Sequence, residues 1–283
     1  METMRWALAL VVALAATSDA RPRPRWETLP LPPTMPTATR SGYVDVKDAK
    51  IYYATYGKGD PVILLHGGLG NSDHWAFQVP EFAKQYRVVV IDSRNQGRST
   101  FARTKVTYAA MAGDVIEVMD ALGIKAAAFV GWSDGGEIAL DLAIRNPARV
   151  AKLFVFGANY DANGSKSRTP GASPTFNQYA AKCRNDFAKI SKNPKSYDAV
   201  VASLMSVWHS PASFTKDQLR SIKAPTVVAD GDHDEVIVLD QVKEMARLIP
   251  NAQLEVFEAT SHFALWQDPE SFNKAVLRFL ALP

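Results

Sequence analysis

The sequence predicts an α/β fold with a mostly parallel central sheet, flanked by helices and carrying an inserted helical cap. Short apolar runs typical of buried strands alternate with amphipathic helical stretches over residues 41–158 and again over residues 223–283. Residues 159–222 break this alternation with helical stretches and a glycine-, serine- and proline-rich loop, without a convincing strand. Because this insertion lies between two predicted sheet strands, we expect it to cover the carboxyl edge of the sheet as a cap.

The predicted elements have lengths that suit a parallel sheet covered on both faces. Strands are expected at residues 43–46, 51–56, 61–65, 87–92, 126–132, 150–156, 225–229 and 252–257. Helices are expected at residues 75–85, 108–122, 138–144, 240–248 and 269–280, and within the insertion at 179–190 and 197–208. Since ligands bind beyond the carboxyl ends of the strands in such sheets, functional residues are sought there.

The first 40 residues differ in composition from the predicted core. Residues 1–20 contain Arg5, an apolar run at 6–16 and small residues before Ala20, which is the three-part pattern of a secretory signal cleaved after Ala20. The apolar run is too short to span a bilayer, so we expect a secreted or periplasmic protein without a stable membrane anchor; the alternative is a retained, uncleaved anchor. Residues 21–40 are rich in proline and arginine and are expected to form a solvated linker outside the core.

Charge and cysteine content argue against several classes of partner. The formal net charge is only +3 and the basic residues are scattered, so no nucleic-acid partner is expected. The single cysteine, Cys183, cannot form an intramolecular disulfide. The sequence contains no metal-binding motif, so neither a metal nor a cofactor is expected, and nothing in it indicates the oligomeric state.

The motif GWSDG, at residues 131–135, organises the predicted fold. It lies between a predicted strand and a predicted helix and fits the pattern G-x-S-x-G, in which a strained turn lifts one serine hydroxyl clear of the sheet. Such a turn brings the strand and helix backbones close together, which explains the glycine at each end of the motif. The alternative is an ordinary loop with an incidental serine, so the interpretation of Ser133 as a nucleophile depends on partners elsewhere in the chain.

A serine nucleophile needs a histidine that accepts its proton and a carboxylate that orients this histidine. Of the five histidines, His262 follows the strand at 252–257 by a short loop, which places it at the same sheet edge as Ser133. The strand at 225–229 leads to the same edge and is followed by candidate acids. Three aspartates compete for this role: Asp230, Asp232 and Asp234.

Five short motifs together resemble those of the α/β-hydrolase superfamily. In order, they are HGG at 66–68, DSRNQGRS at 92–99, GWSDGG at 131–136, GDHD at 231–234 and SHF at 261–263. The resemblance extends from about residue 42 to the C-terminus and implies that the acid is Asp234 rather than Asp232. It also implies an oxyanion hole formed by the backbone amides of Gly68 and Asp134, with Leu69 as a nearby alternative. Ser261 departs from the family, where glycine commonly precedes the histidine.

The motif GWSDGG followed by FGAN at 156–159 resembles one branch of this superfamily, which includes valacyclovir hydrolase and is also called biphenyl hydrolase-like. In that branch, the aspartate after the nucleophile helps to recognise an amino group of the substrate, which implies the same role for Asp134. The alternative is that an acidic residue in the first turn of a helix is favoured by the helix dipole.

Aromatic side chains near the elbow and in the cap are candidates for binding substrate. Trp132 and Trp208 are expected to contact the substrate together with Asp134. Large side chains of the insertion are expected either to line the pocket or to pack the cap onto the body: Phe176, Tyr179, Leu204, Met205, Trp208 and Phe214.

The sequence thus predicts an exported serine esterase that cleaves a small carboxylic ester or related acyl compound through an acyl-enzyme. Ser133 attacks the carbonyl, His262 takes and returns the proton, and Asp234 orients His262. A carbon–carbon bond hydrolase and a cofactor-free perhydrolase use the same three residue types and remain alternatives. A non-catalytic binding protein of the same fold is a further alternative, because a fold does not by itself imply activity.

Overall fold

The computed structural model describes residues 22–166, 173–209 and 214–283. Its centre is one eight-stranded sheet with the spatial order β1-β2-β4-β3-β5-β6-β7-β8. The first three strands in this order pair antiparallel, and all remaining pairs are parallel. The strands are β1 (Arg40–Asp45), β2 (Lys50–Tyr56), β3 (Pro61–Leu65), β4 (Arg87–Ile91), β5 (Ala127–Trp132), β6 (Val150–Phe156), β7 (Thr226–Gly231) and β8 (Ala252–Phe257).

Helices cover both faces of this sheet, and two large clusters of buried apolar side chains fill the spaces between sheet and helices. The predicted fold class, a mostly parallel sheet flanked by helices, is therefore confirmed. The helices are α1 (Val79–Phe82), α2 (Tyr108–Ala121), α3 (Asp134–Arg145), α4 (Pro174–Ile190), α5 (Tyr197–Trp208), α6 (Lys216–Arg220), α7 (Leu239–Leu248), α8 (Ala264–Gln267) and α9 (Pro269–Leu280).

The insertion between β6 and β7 is helical where the structure describes it. Helices α4 and α5 form most of its described part, and its single β-type contact is an isolated bridge between Ser165 and Ile237. Helix α4 begins five residues earlier than the sequence predicts, because the Ser173 side chain accepts a hydrogen bond from the Phe176 amide and Pro174 occupies the first turn.

One predicted helix, at residues 75–85, is mostly absent. The chain instead makes a short 3₁₀ turn, Ser72–Trp75, followed by the four-residue helix α1. Pro80 explains the difference, because proline has no amide hydrogen and is tolerated only in the first turn of a helix.

The proline-rich segment at residues 22–39 lies against the body. The Trp26 ring stacks on His233 with centroids 3.9 Å apart, and Leu29 and Met35 pack against one of the two core clusters. No residue of this segment is fully buried, so it packs onto the outside of the core through apolar side chains that lie between the prolines. Its assignment as a linker stays a prediction. The predicted signal at residues 1–20 lies outside the described residues. Among the described helices, none is both long and apolar enough to cross a membrane.

Candidate active site

Ser133 lies in the turn between β5 and α3, at the carboxyl edge of the sheet. Its backbone has φ 55° and ψ −123°, a conformation that a non-glycine residue adopts only when the surrounding structure enforces it. The enforcement comes from close backbone packing. A Cβ atom on Gly135 would lie 2.0 Å from the carbonyl oxygen of Leu65, so only glycine lets α3 start this close to β3. The predicted strand–turn–helix context of the motif is therefore present.

His262 and Asp234 meet directly at the same edge. The distance between His262 Nδ1 and Asp234 Oδ2 is 2.6 Å, and both side chains are almost fully buried. The other carboxylate oxygen, Asp234 Oδ1, accepts hydrogen bonds from the backbone amides of Val236, at 2.6 Å, and Ile237, at 2.7 Å. The carboxylate is thus held from both sides, with one oxygen committed to the imidazole.

The environment of Asp234 keeps it ionised. Burial alone raises the pKa of this carboxyl, but the charge and hydrogen bond of His262, together with the Ile237 amide, outweigh burial and hold the pKa below its usual value. An ionised Asp234 accepts from Nδ1–H and leaves Nε2 as the basic nitrogen of the imidazole, which is the tautomer that can take a proton from a serine.

The two other candidate acids point elsewhere. Asp232 Oδ1 contacts His233 Nδ1 at 2.8 Å and accepts from the Thr260 amide at 3.2 Å. Asp230 is fully buried next to Asp234 and makes no direct contact with His262. Of the three aspartates, the structure pairs Asp234 with His262.

Two residues that the sequence analysis did not assign to the site support His262. Glu235 Oε2 accepts a hydrogen bond from the His262 backbone amide at 3.1 Å, and burial raises the pKa of this carboxyl. Gly157, with φ +60°, packs against the imidazole, because a Cβ there would lie 3.1 Å from His262 Nδ1. The sequence offered one signal for each residue: Gly157 directly follows a predicted strand, and Glu235 is an acidic residue next to Asp234.

The departure at Ser261 also has a structural role. The Ser261 amide donates to Gln267 Oε1 at 2.7 Å, and Gln267 Nε2 donates to Ser261 Oγ at 3.0 Å. The same side-chain amide of Gln267 donates to the backbone oxygen of Thr28 at 2.8 Å. The loop that carries His262 is therefore tied to the N-terminal segment through Gln267.

The loop that follows β3 is fixed by hydrogen bonds of His66. The Ser93 amide donates to His66 Nε2 at 3.0 Å, so Nδ1 carries the proton and donates to the Gly67 oxygen at 2.8 Å. Burial lowers the pKa of His66, which keeps the ring neutral. From the cap, the Tyr179 hydroxyl donates to the Gly68 oxygen at 2.9 Å.

This arrangement places Gly68 at the pocket beside Ser133, whereas Leu69 is buried in a core cluster. The use of the Gly68 and Asp134 amides as an oxyanion hole stays a prediction.

The pocket over Ser133 is small, with a cavity volume of about 10 Å³, barely room for one water molecule. Its lining joins the body to the cap and contains no lysine or arginine among the described residues. The lining residues are Gly67, Gly68, Trp132, Ser133, Phe176, Tyr179, Trp208, Val236 and His262.

Three of the cap aromatics considered in the sequence analysis, Phe176, Tyr179 and Trp208, therefore reach the pocket. Leu204 and Phe214 are buried in the packing instead, and Met205 is exposed.

The predicted substrate-binding residues form hydrogen bonds with other residues of the protein. The Trp132 indole Nε1 donates to the His262 backbone oxygen at 2.9 Å, so this ring supports the histidine as well as lining the pocket. Asp134 is only 3% exposed, and its Oδ1 accepts from Trp208 Nε1 at 2.8 Å and from the Tyr108 hydroxyl at 3.1 Å. Recognition of an amino group by Asp134 stays a prediction, and an incoming ammonium group would compete with these donors.

The described part of the chain contains no group of three or more histidine, cysteine, aspartate or glutamate side chains placed to hold a metal ion. The chemistry that its site residues can perform is nucleophilic attack by a serine with a histidine–aspartate pair as general base. This arrangement suits hydrolysis at a carbonyl carbon through a covalent acyl intermediate.

The chain is similar to several named hydrolases. The chain is 28% identical to a 2-hydroxy-6-oxononadienedioate/2-hydroxy-6-oxononatrienedioate hydrolase of Comamonas testosteroni, over 86% of this chain and 97% of the relative. It is 29% identical to a 2-hydroxy-6-oxo-6-phenylhexa-2,4-dienoate hydrolase of Burkholderia cepacia, again over 86% and 97%.

Among solved structures, Est816, described as an N-acyl homoserine lactone degrading enzyme, is 30% identical with a TM-score of 0.68, over 84% of this chain and 100% of that chain. The family described as having the alpha/beta hydrolase fold matches residues 60–206 and 158–269. These two matched segments together span most of the chain, and they include Ser133, Asp234 and His262. The predicted superfamily is confirmed: this chain belongs to the α/β-hydrolase family.

Proposed function

We propose that this hydrolase cleaves the bond between a carbonyl carbon and its neighbour through an acyl-enzyme on Ser133. His262 takes the serine proton as Ser133 Oγ attacks the carbonyl, and it returns the proton to the leaving fragment as the bond breaks. Water, activated by the same histidine, then releases the acid and restores Ser133. The observation that carries this proposal is the 2.6 Å contact between His262 Nδ1 and Asp234 Oδ2 in the pocket lined by Ser133.

The bond we propose is a carbon–carbon bond, as in the dienoate substrates that the curated relatives are named for. A 2-hydroxy-6-oxo-dienoate contains a ketone at C6 and no ester or amide bond, so hydrolysis at that ketone must break a bond between carbons. Cleavage on the diene side becomes feasible once the 2-hydroxyl proton has moved to C5, because the electron pair left on C5 is then delocalised through the C3–C4 double bond onto the C2 carbonyl oxygen. The same serine, histidine and aspartate that cleave an ester are sufficient for this reaction.

An ester or lactone is the second candidate substrate class, and two observations favour it. Est816, which is as similar in sequence as the curated relatives, is described as a lactone-degrading enzyme. In addition, the aromatic rings that line the pocket suit an apolar acyl chain.

A substrate panel separates these two proposals. Initial rates are measured for 2-hydroxy-6-oxo-6-phenylhexa-2,4-dienoate, p-nitrophenyl butyrate and an N-acyl homoserine lactone, with Ser133→Ala as the control for each compound. We expect the highest kcat/KM for the dienoate and a loss of about 10⁶-fold in kcat in Ser133→Ala. A preference for the ester or lactone would replace the first candidate with the second.

A fluorophosphonate probe tests the nucleophile independently of the substrate. We expect the probe to label the wild-type protein at Ser133 and to leave Ser133→Ala unlabelled. If the probe does not react and no compound in the panel is turned over, the serine hydrolase proposal itself is wrong.

We further propose that the protein is exported with cleavage after Ala20, on the strength of the signal pattern at residues 1–20. Expression of the whole chain in a host competent for export, followed by N-terminal sequencing, is expected to give a product that begins at Arg21. A product that begins at Met1 and stays inside the cell would contradict export.

A further inference from the structure

Asp230 is a buried acid beside the site that the proposed mechanism does not use. It lies at the end of β7 with 0% of its surface exposed. Its Oδ1 accepts a hydrogen bond from the Gly231 amide at 2.9 Å. No N–H or O–H group in the described ranges donates to its other oxygen, Oδ2. A buried ionised carboxylate with a single donor is energetically unfavourable, so this group needs a further explanation.

The explanation lies in its neighbour, since the carboxyl groups of Asp230 and Asp234 are within hydrogen-bond reach of each other. Two oxygens that both lack hydrogen cannot form a hydrogen bond, and two adjacent buried carboxylates repel each other strongly. One of the two groups must therefore carry a proton, which then lies between them.

The hydrogen-bond donors around each group show which aspartate holds the proton. Asp234 receives hydrogen bonds from His262 Nδ1 and from the amides of Val236 and Ile237, whereas Asp230 receives one. Donors stabilise the ionised form, so Asp234 is the carboxylate and Asp230 the acid. Burial raises the pKa of Asp230 well above its usual value, and the charge of Asp234 raises it further.

Two further charged groups near this pair do not reverse the assignment. The carboxyl of Glu235 lies beside Asp234 and adds negative charge, which disfavours a second ionised aspartate. The Lys166 ammonium donates to the backbone oxygen of Asp234, and its charge lowers the pKa of Asp230 only in part.

We propose that Asp230 is a positioning residue: a neutral carboxylic acid that donates a hydrogen bond to the Asp234 carboxylate and so fixes the partner of His262. A carboxylate has about four acceptor sites, and three donors already occupy Asp234, so Asp230 fills the remaining one. This bond holds the plane of the carboxylate and moderates the negative charge that faces the imidazole. The catalytic consequence rests on the proposed function, but the protonation of Asp230 does not.

Infrared spectroscopy tests the protonation without any turnover. A neutral carboxylic acid has a C=O stretching band that a carboxylate lacks. In the difference spectrum between wild type and Asp230→Asn at pH 7.5, we expect the loss of one carboxylic acid band. Asparagine keeps the shape of the side chain and both hydrogen bonds, so the variant is expected to fold. If the difference spectrum shows the loss of a carboxylate band instead, Asp230 is ionised and the proposal is wrong.

The pH profile of kcat/KM tests the effect on His262, with Asp230→Asn and Asp230→Ala as a matched pair. Asparagine still donates to Asp234. The fall in kcat/KM at low pH, the acid limb of the profile, is therefore expected to coincide in Asp230→Asn and wild type. Alanine removes the donor, which leaves more negative charge facing the imidazole and favours its protonated form. The acid limb of Asp230→Ala is therefore expected to move to higher pH by about one unit.

Two other results of the pH profile would contradict the proposal. If Asp230 were ionised, both variants would remove a negative charge near His262, and both acid limbs would move to lower pH. An unchanged limb in both variants would also contradict the proposal. If no substrate is turned over, the proposed function fails, while the infrared result still decides the protonation of Asp230.

Discussion

The carboxyl edge of the sheet and the cap form the same pocket, but they hold it in different ways. On the sheet side, a single carboxylate, that of Asp234, has four buried partners: the His262 imidazole, two backbone amides and the neighbouring Asp230. On the cap side, individual hydrogen bonds from separate residues reach the site, such as those from Tyr179 to Gly68 and from Trp208 to Asp134. The sheet side of the pocket therefore depends on one dense, buried network, and the cap side on a few separate contacts.

This difference predicts large, all-or-none effects at the sheet edge and small, graded effects at the cap. A hydrogen bond in a dense buried network cannot be lost without leaving a charged or polar partner unsatisfied. A single contact across an interface between two elements contributes about 1 kcal/mol, and its loss is partly relieved by local movement. Substitutions on the two sides therefore test this difference.

Among the substitutions that compare the two sides of the pocket, the largest effect is expected at Asp234. Asp234→Asn keeps the shape of the side chain but removes the negative charge that stabilises the imidazolium and selects its tautomer. We expect kcat to fall by about 10⁴-fold, with the free energy of unfolding much less affected. Asp232→Asn is the matched control, because Asp232 contacts His233 and Thr260 rather than His262. A larger loss of kcat in Asp232→Asn would overturn the assignment of the acid.

The sequence was sufficient for much of this side of the pocket. The elbow, the order of serine, acid and histidine, and the strand ends that carry them follow from local patterns and short motifs, so the sequence alone places Ser133 and His262 at one edge of the sheet. The structure pairs His262 with Asp234. The contacts of Glu235 and Gly157 with His262 were not predicted, because the local signals at these residues do not show which strand ends become neighbours.

The cap was predicted less completely. Its helical character was visible in the spacing of apolar residues, but the start of α4 depends on the Ser173 cap, and the choice of Trp208 over Met205 as a pocket residue depends on how the helices rotate against the body. Helical periodicity shows that a face is apolar, but it does not show which body residue that face meets.

Close backbone packing under the elbow gives the next largest effect. In Gly135→Ala, the new Cβ would lie 2.0 Å from the Leu65 oxygen, so α3 must move away from β3. We expect the free energy of unfolding to fall by about 3 kcal/mol, measured by urea denaturation. Gly113→Ala in α2 is the matched control, since nothing lies within 4 Å of its Cβ, and it is expected to gain about 0.5–1 kcal/mol. Equal stability of the two variants would contradict this account of the elbow.

A buried histidine between body and cap is expected to make stability depend on pH. His74 Nε2 lies 3.3 Å from Asp186 Oδ2 of α4, and burial lowers the pKa of His74 despite this partner, with the charge of nearby Lys182 lowering it further. The unfolded chain therefore binds a proton below about pH 6.5 that the folded chain does not bind. Stability is expected to fall as the pH drops below about 6.5, by up to about 1.4 kcal/mol per pH unit.

Urea denaturation at pH 7.5, 6.5 and 5.5 measures this dependence. His74→Gln preserves a donor towards Asp186 and cannot titrate, so its stability should vary less with pH than that of wild type. His66 is buried with a lowered pKa as well, so part of the wild-type slope should remain in this variant. His209→Gln, at an exposed position, is the control and should keep the full slope. An unchanged slope in His74→Gln would show that His74 binds protons equally in the folded and unfolded chains, and the account of this histidine would then be wrong.

The smallest effect is expected where the cap touches the elbow, at Trp208. Trp208→Phe keeps an aromatic ring at the pocket but removes the indole donor to Asp134, whereas Tyr108→Phe removes a donor that comes from α2 of the body. If the cap contact places the substrate, Trp208→Phe should raise KM about tenfold, equivalent to about 1.4 kcal/mol, with kcat little changed. Tyr108→Phe should change KM less, because the indole still connects the cap to Asp134. A fall in kcat as large as that in Asp234→Asn would mean that the cap takes part in the chemistry, and the division between the two sides of the pocket would then be wrong.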